Sequence, residues 1–377
     1  MAPLFIVILF VLFIINPFYP VRIGYLRTDR LGHLSLNTEL FLRRIQLGLI
    51  CVDPIHLFIC GPSVNYQLLK MIKRHLNILQ FNKFTFLVIY QFFQYFRMTK
   101  FYIDLPMNSN EFYEFNNTSH QLKFTLDEEK FGRHELNKYG IKLHNDWFAC
   151  VAARDFTYLE NEYPGQKWDY HNYRNADINT FIPAIKYIID QGGYVFRMGS
   201  VTNKKVNFNH KRFIDYSYRD RNDFMDIFLP SKCRFFLGTT GGICDLATTF
   251  NIPRASTNVV LWDLPFGVNS IYIPKKIKSR INNKYVTYID VLNKYDGIYD
   301  GKIMQSNGHI FEDNTENEIL ELVIEIMENL DGKVSVNEEE QSMMENYFSI
   351  FTDEMKSFSI KNPIGKEFLK NNQDLFR

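Results

Sequence analysis

Phe235–Leu246, FFLGTTGGICDL, decides the fold. Phe235 to Leu237 is a short apolar run that reads as a buried strand; Gly238, Thr239, Thr240, Gly241 and Gly242 follow as a loop of small residues. Ile243 to Phe250 then reads as a helix that ends before Pro253. A strand that opens straight into a helix is the repeating unit of a parallel sheet, because the chain must cross one face before the next parallel strand can begin. The start of such a helix leaves backbone N–H groups without intrahelical partners, which suits a phosphate. Thr239 and Thr240 add hydroxyl donors, and Gly241 with Gly242 lets a ligand approach the backbone. The spacing is neither G-x-G-x-x-G nor that of a P-loop, and a plain strand-to-helix turn would look the same.

Upstream, Trp147 to Ala152 reads as another buried strand, and Arg154 and Asp155 come directly after it. Open α/β sheets place ligands at the carboxyl ends of their strands, and an arginine there can hold a diphosphate through two parallel hydrogen bonds. An ion pair with Asp155 or a surface carboxylate is the structural alternative. YHNYRNAD brings His171, Arg174, Asn175 and Asp177 to the start of a predicted helix over Phe181 to Asp190, with Pro183 in its first turn and Gly192 and Gly193 beyond its end. Arg197 follows the predicted strand Tyr194 to Met198, and Arg219, Arg221 and Asp223 precede the helical stretch FMDIFL. Arginines gathered at one sheet edge repel one another unless an anion offsets them, so their convergence points to a phosphorylated ligand.

The first part of the chain repeats the pattern. Val21 to Leu26 (VRIGYL) reads as a strand and RTDRLGH as the loop after it, carrying Arg27, Asp29, Arg30, Gly32 and His33; Leu34, Leu40, Phe41 and Ile45 then recur at helical spacing. Asp29 or His33 is placed to act as a general base, the alternatives being an Asp29 ion pair with Arg27 or Arg30 and a capping His33. A second unit reads as strand Leu57 to Cys60, the turn Gly61-Pro62, and a helix whose stripe runs from Leu68 to Leu79. Residues 81–98 are so aromatic that core packing is expected, with a membrane-facing or acceptor-facing surface as the lesser alternative, and the polar stretch from Asn108 to Asn145 reads as a loop or connection. Residues 1–21 carry no charge, and the apolar run Leu4 to Ile15 is short of the ~20 residues a membrane span needs, which leaves a membrane anchor or a buried first helix. The resulting divisions are 1–20, a hydrophobic segment; 21–145 and 146–340, two α/β domains; and 341–377, a helical tail that packs back on the body.

Composition restricts the chemistry. With 377 residues, 46% of them hydrophobic, the chain has material for two cores. Lys and Arg number 43 against 42 Asp and Glu, so the net charge of +1 gives no field to gather nucleic acid. Five cysteines without C-x-x-C spacing argue against zinc or disulfides, Cys60, Cys150 and Cys233 lie beside apolar residues as small buried hydrophobes, and a reducing cytoplasmic compartment fits. D-x-D, H-E-x-x-H and G-x-S-x-G are all absent, which weakens a metal-dependent nucleotide-sugar site, a zinc protease and a serine hydrolase in turn.

Several blocks in order, RTDRLGHLSLNTEL, CVAARDFTYL, HNYRNADINTFIPAIKYI, YVFRMGS, YRDRNDFMDIFLPSKCRFFLGTTGG and EFLKNNQ, resemble a family of bacterial glycosyltransferases of polysaccharide biosynthesis. The resemblance implies a GT-B-like fold, two Rossmann-like domains facing a cleft, with a nucleoside-diphosphate sugar held mainly by the second domain and no obligatory metal or other cofactor. CVAARD and FLGTTGG also resemble, more distantly, the donor-binding blocks of fucosyltransferases, an analogy that sets Arg154 on the diphosphate and Thr239, Thr240 and Gly241 beside the nucleotide. Ala153 stands where those enzymes carry a second arginine, and Gly241-Gly242 where they carry serines. The expected reaction is sugar transfer to a glycan or lipid-linked acceptor at the inner face of the cell membrane. Arg154, Arg174, Arg197 and Arg221 would stabilise the departing diphosphate. A non-catalytic nucleotide-sugar-binding or assembly protein and a nucleotide-sugar epimerase are the competing readings.

Overall fold

A computed structural model describes residues 2–105, 112–155, 169–199, 205–219, 221–261, 267–295, 298, 300–333, 337–351 and 362–377. The chain forms two compact units, residues 1–109 with 113–128, and residues 129–377 with 110–112. The boundary falls inside helix Leu126–Lys138.

In the first unit the described strands are β1 (Val21–Tyr25), β2 (Ile55–Cys60) and β3 (Asn77–Gln80), parallel and side by side in chain order. Gly24 is needed where β1 runs beside β2, because a Cβ there would lie 2.5 Å from the ring of its paired residue Phe58. β1 leads through a π-helical turn, His33–Asn37, into helix Thr38–Gln46, whose Leu40 and Phe41 are buried with Leu34. Within that helix Glu39 and Arg43 are wholly buried and paired at 2.9 Å. Arg43 donates to the carbonyls of Phe115 and Thr118, and Glu39 accepts the N–H groups of Gln121 and Leu122. A chain segment far away in sequence is thereby tied to this helix through its own backbone.

Three expectations change here. The stripe from Leu68 to Leu79 is not one helix: Tyr66–Ile72 is helical, and Leu79 belongs to the edge strand β3. Leu76 is buried in the turn between them, so the apolar spacing continues across a reversal that it does not report. Residues 81–98 are not core throughout, since helix Lys83–Phe96 buries only Phe93 and Phe96. The polar stretch 108–145 contains helices Phe112–Asn117 and Leu126–Lys138. The second begins with a reciprocal cap, in which Glu128 accepts the Thr125 N–H at 2.9 Å and Thr125 Oγ1 accepts the Glu128 N–H at 3.2 Å. The amino-terminal apolar run is helical over Ala2–Ile15, and no described helix is long and apolar enough to cross a membrane.

In the second unit the described strands of the main sheet are β4 (Phe148–Ala152), β5 (Tyr194–Arg197), β6 (Phe213–Ile214), β7 (Phe236–Gly238), β8 (Arg254–Val259) and β9 (Ile271–Pro274). All pair in parallel, in the order β6-β5-β4-β7-β8-β9. The chain starts at β4, builds outward to β6, returns to β7 beside β4, and builds outward again to β9. The order reverses between β4 and β7, which opens a crevice at the carboxyl ends of these strands. An antiparallel pair of strands, β10 (Lys276–Ser279) and β11 (His309–Glu312), follows β9. Helices Ile182–Asp190 and Glu316–Leu330 pack on the sheet, and Tyr347, Phe351, Phe368, Leu369 and Phe376 from the tail join the same core.

Candidate functional site

At the carboxyl end of β4 the chain continues as Ala153-Arg154-Asp155, and β7 continues as Thr239-Thr240. The Arg154 N–H donates to Thr239 Oγ1 at 2.8 Å, and the Arg154 carbonyl accepts the Ala176 N–H at 3.1 Å. Three of the singled-out blocks, CVAARD, YHNYRNAD and FLGTTGG, therefore meet through backbone bonds at the point where the strand order reverses. Thr239 and Thr240 are buried, and Thr240 Oγ1 has no hydrogen-bond partner among the described residues. Gly241 caps helix Gly242–Thr249 with no side-chain bond to its first N–H groups.

Next to this junction lies a cavity of about 490 Å³, a volume within the range of small-molecule sites. Ala153 and Asp155 line it after β4, Asn172, Asn175 and Asp177 from the loop beyond, and Arg197 at the end of β5. Lys275 after β9, and Arg280, His309 and Asp313 around the β10/β11 pair, line the other side. The Lys275 ammonium is almost wholly buried and donates to the Asn175 carbonyl and to Asp313 Oδ1, both at 2.6 Å. Burial lowers its pKa against the opposing pull of Asp313. Arg197, 3% exposed, pairs with Asp215 at 3.1 Å. His309 Nδ1 lies 2.5 Å from the Tyr295 hydroxyl, and burial lowers the imidazole pKa. Asp177 caps the short helix Ile178–Phe181 by accepting the Asn179 N–H at 3.0 Å.

Among the singled-out residues of this unit, Asp155 and Arg197 line the cavity, and Arg174 closes the 3-10 turn Asp169–Arg174 whose neighbours line it. The side chain of His171, in the same turn, lies outside the described residues. Thr239, Thr240, Gly241, Gly242 and Arg154 sit at the adjoining junction rather than in the cavity wall. Arg221 is held by Asp226 at 2.6 Å, and Asp223 opens helix Asp223–Lys232. Burial pushes the Asp226 carboxyl up to about 6, with Arg221 opposing. The arginines are thus offset partly by carboxylates of their own, Asp215 and Asp226, and not all of them face one ligand. Lys275 was missed; its signal is IYIPKK, a cation directly behind an apolar strand, the same pattern that singled out Arg154.

In the first unit, His33 opens the π-helical turn soon after β1. Its Nδ1 lies 2.8 Å from Asn37 Oδ1, and because an amide oxygen only accepts, Nδ1 carries the proton and Nε2 the lone pair. Burial lowers its pKa, the Asn37 hydrogen bond opposes, and the charges of Arg27 and Arg30 lower it further. Asp29 is paired with Arg27 at 3.4 Å and is about half exposed. Gly32 precedes His33 as the cap of the turn. Among the described residues no cluster of three or more His, Cys, Asp or Glu is arranged to hold a metal ion.

No family model matches this sequence, and no curated protein does. Solved structures do resemble it. A glycosyl transferase of family 9 from Veillonella parvula superposes with a TM-score of 0.50 at 10% identity, over 84% of this chain and 98% of that one. ADP-heptose lps heptosyltransferase II of E. coli gives 0.44 at 11% identity, over 67% of this chain and 90% of that one. The iron-containing dodecameric glycosyltransferase TibC of enterotoxigenic E. coli gives 0.38 at 12%, over 84% and 77%. The first likeness shows the fold, which is α/β with two Rossmann-like units of the GT-B type.

Proposed function

We propose that the chain is a glycosyltransferase that moves a sugar from a nucleoside-diphosphate donor to a glycan or lipid-linked acceptor in surface polysaccharide synthesis. One observation carries this reading: three sequence blocks meet at the β4/β7 reversal, beside a cavity whose walls hold Lys275 and Arg197. The donor's base and ribose occupy the cavity, and its diphosphate lies toward the Thr239–Gly242 loop and the guanidinium of Arg154. As the bond between the anomeric carbon and the diphosphate breaks, Arg154, Arg174 and Lys275 with the N–H groups of helix Gly242–Thr249 stabilise the charge left on the leaving group. These fixed cations do the work that a metal ion does elsewhere.

The attacking acceptor hydroxyl must lose a proton as its oxygen bonds to the anomeric carbon. His33 is the better of the two candidate bases: with Nδ1 bonded to Asn37 its Nε2 can take a proton, and burial lowers its pKa, whereas Asp29 is engaged by Arg27. The analogy with fucosyltransferase donor blocks enters only through the loop Thr239 to Gly241. The cytoplasm, at the inner face of the cell membrane, is the proposed place of action, with helix Ala2–Ile15 as the attachment.

The test is incubation of purified protein with a panel of nucleotide sugars and candidate acceptors, with chromatography of the products. Acceptor-dependent release of nucleoside diphosphate supports transfer. An isomerised sugar would make the protein an epimerase, and nucleotide binding without turnover would make it a binding protein. Arg154→Ala should lose both donor affinity and turnover, and unchanged affinity would remove Arg154 from the site.

A further inference from the structure

The first unit leaves an unusual amount of apolar surface uncovered. Helix Ala2–Ile15 packs Leu9 and Leu12 against a cluster of Ile59, Phe93, Phe96 and Phe101. Its other sides expose Ile6, Val7, Phe10, Phe13 and Ile14, each more than half open to solvent. Helix Lys83–Phe96 contributes Phe93 and Phe96 to the same cluster and turns Phe84, 78% exposed, Leu87 and Tyr95 outward, with Met98 following at 87%. Lys100, just beyond, sets its ammonium 5.1 Å from the Phe13 ring, which brings the ends of the two helices together. Apolar patches of this kind mark surfaces that meet a partner.

The charge pattern identifies that partner. No aspartate or glutamate occurs in residues 1–28 or 54–103, the two segments that supply this face. They carry eight cations, of which Lys83, Arg97 and Lys100 flank helix Lys83–Phe96 and are exposed. A helix of 14 residues is about 21 Å long, too short for a hydrocarbon core of roughly 30 Å but suited to lying in the plane of a membrane. An uncharged, all-round apolar helix beside a second aromatic helix with cationic flanks complements a hydrocarbon layer roofed by anionic headgroups.

We propose that the outward faces of helices Ala2–Ile15 and Lys83–Phe96 form one in-plane docking surface for an anionic phospholipid leaflet. The inference deepens the membrane attachment proposed above. It replaces an attachment by the amino-terminal segment alone with a two-helix footprint that includes Phe84, Leu87, Tyr95 and Met98.

Flotation of the full chain with vesicles tests it. Vesicles of phosphatidylcholine with about one third phosphatidylglycerol should carry the protein, and pure phosphatidylcholine vesicles should carry it at least ~10-fold less well, each cation near the surface being worth roughly fivefold. Phe84→Ser with Leu87→Ser should weaken anionic-vesicle binding at least ~10-fold even though helix Ala2–Ile15 is intact. A second variant, Lys83→Gln with Arg97→Gln and Lys100→Gln, leaves the apolar face whole and should abolish the preference for anionic lipid. Equal binding to both vesicle types, full binding by the Phe84/Leu87 variant, or a detergent-sensitive dimer that ignores vesicles would each overturn the proposal. Calorimetry with nucleoside diphosphates on the same samples keeps the two readings apart. Intact nucleotide binding with no flotation sinks the docking surface alone, and flotation with no nucleotide binding sinks the transferase alone.

Discussion

Removing either half of the Lys275–Asp313 pair should have unequal consequences. Lys275 is almost wholly buried, whereas the Asp313 side chain is 40% exposed. Asp313→Asn leaves an ammonium inside the protein with the Asn175 carbonyl and a neutral amide for company. Stranding one charge of a fully buried pair costs about 3 to 5 kcal/mol, and the exposure of Asp313 brings the expectation down to about 2 kcal/mol. For a unit of this size that is a fall of about 4 to 8 °C in Tm. Lys275→Met instead leaves a carboxylate that water can reach, so stability should change by less than about 1 kcal/mol. The order reverses for ligand: if the proposed donor binds here, Lys275→Met removes its charge-assisted bond to the diphosphate and should weaken nucleoside-diphosphate binding roughly ten- to hundredfold.

The pH dependence has a definite sign. Lys275 has a folded pKa below its ordinary 10.5, so the folded state holds this proton less tightly than the unfolded chain. Its burial penalty is present in full below the lowered pKa and fades as pH rises to 10.5. Asp313→Asn, which removes the group that raises that pKa, should therefore show its largest deficit near neutral pH and recover toward pH 10. Thermal melts from pH 6 to 10 with calorimetric titration of ADP, GDP and UDP supply both readouts. A Lys275→Met protein less stable than Asp313→Asn, or one with undiminished affinity for every nucleotide that the parent binds, would refute the reasoning.

His33→Gln should keep donor affinity and lose turnover at least ~100-fold, whereas Asp29→Asn should change turnover by less than about threefold; steady-state assays with donor calorimetry separate them. Since the His33 pKa is lowered from 6.5, the wild-type rate should hold through pH 6.5 and fall only on further acidification, and a rate that falls already between pH 8 and 7 would exclude His33 as the base. Arg43→Met should destabilise the first unit by about 3 to 5 kcal/mol, because it leaves Glu39 buried and two carbonyls unmatched; hydrogen exchange over residues 112–122 should rise first. Thr239→Val removes the bond that joins the Arg154 backbone to β7, and should cost about 1 kcal/mol in a urea titration and weaken nucleotide binding more than a surface control does.

The sequence by itself determined the units. Phe235–Gly242, Trp147–Asp155 and Val21–His33 each announce an apolar strand followed by a loop, since a run of apolar residues punctuated by glycine or by charge is a local property. The same stretches mark Arg154, Asp155, Thr239 and His33 before any coordinates. Helix Leu126–Lys138 was not among them: the polar composition from Asn108 to Asn145 reads as a loop, although Thr125 and Glu128 stand at capping-box spacing.

Only the tertiary structure decided how these pieces are shared out. Strand order outward from β4, and hence the reversal beside β7, depends on pairings between residues nearly ninety positions apart, such as Cys150 with Phe236. Periodicity also cannot tell a buried aromatic from an exposed one when most residues of a helix are apolar, which is why helix Lys83–Phe96 reads as core. Nor does an arginine's place in the chain say which carboxylate will satisfy it: Arg197 took Asp215, Arg221 took Asp226, and a second buried cation of the cavity proved to be Lys275. Local burial is written in the spacing of side chains, whereas charge pairing is set by whichever groups the completed fold brings within a few ångströms of one another.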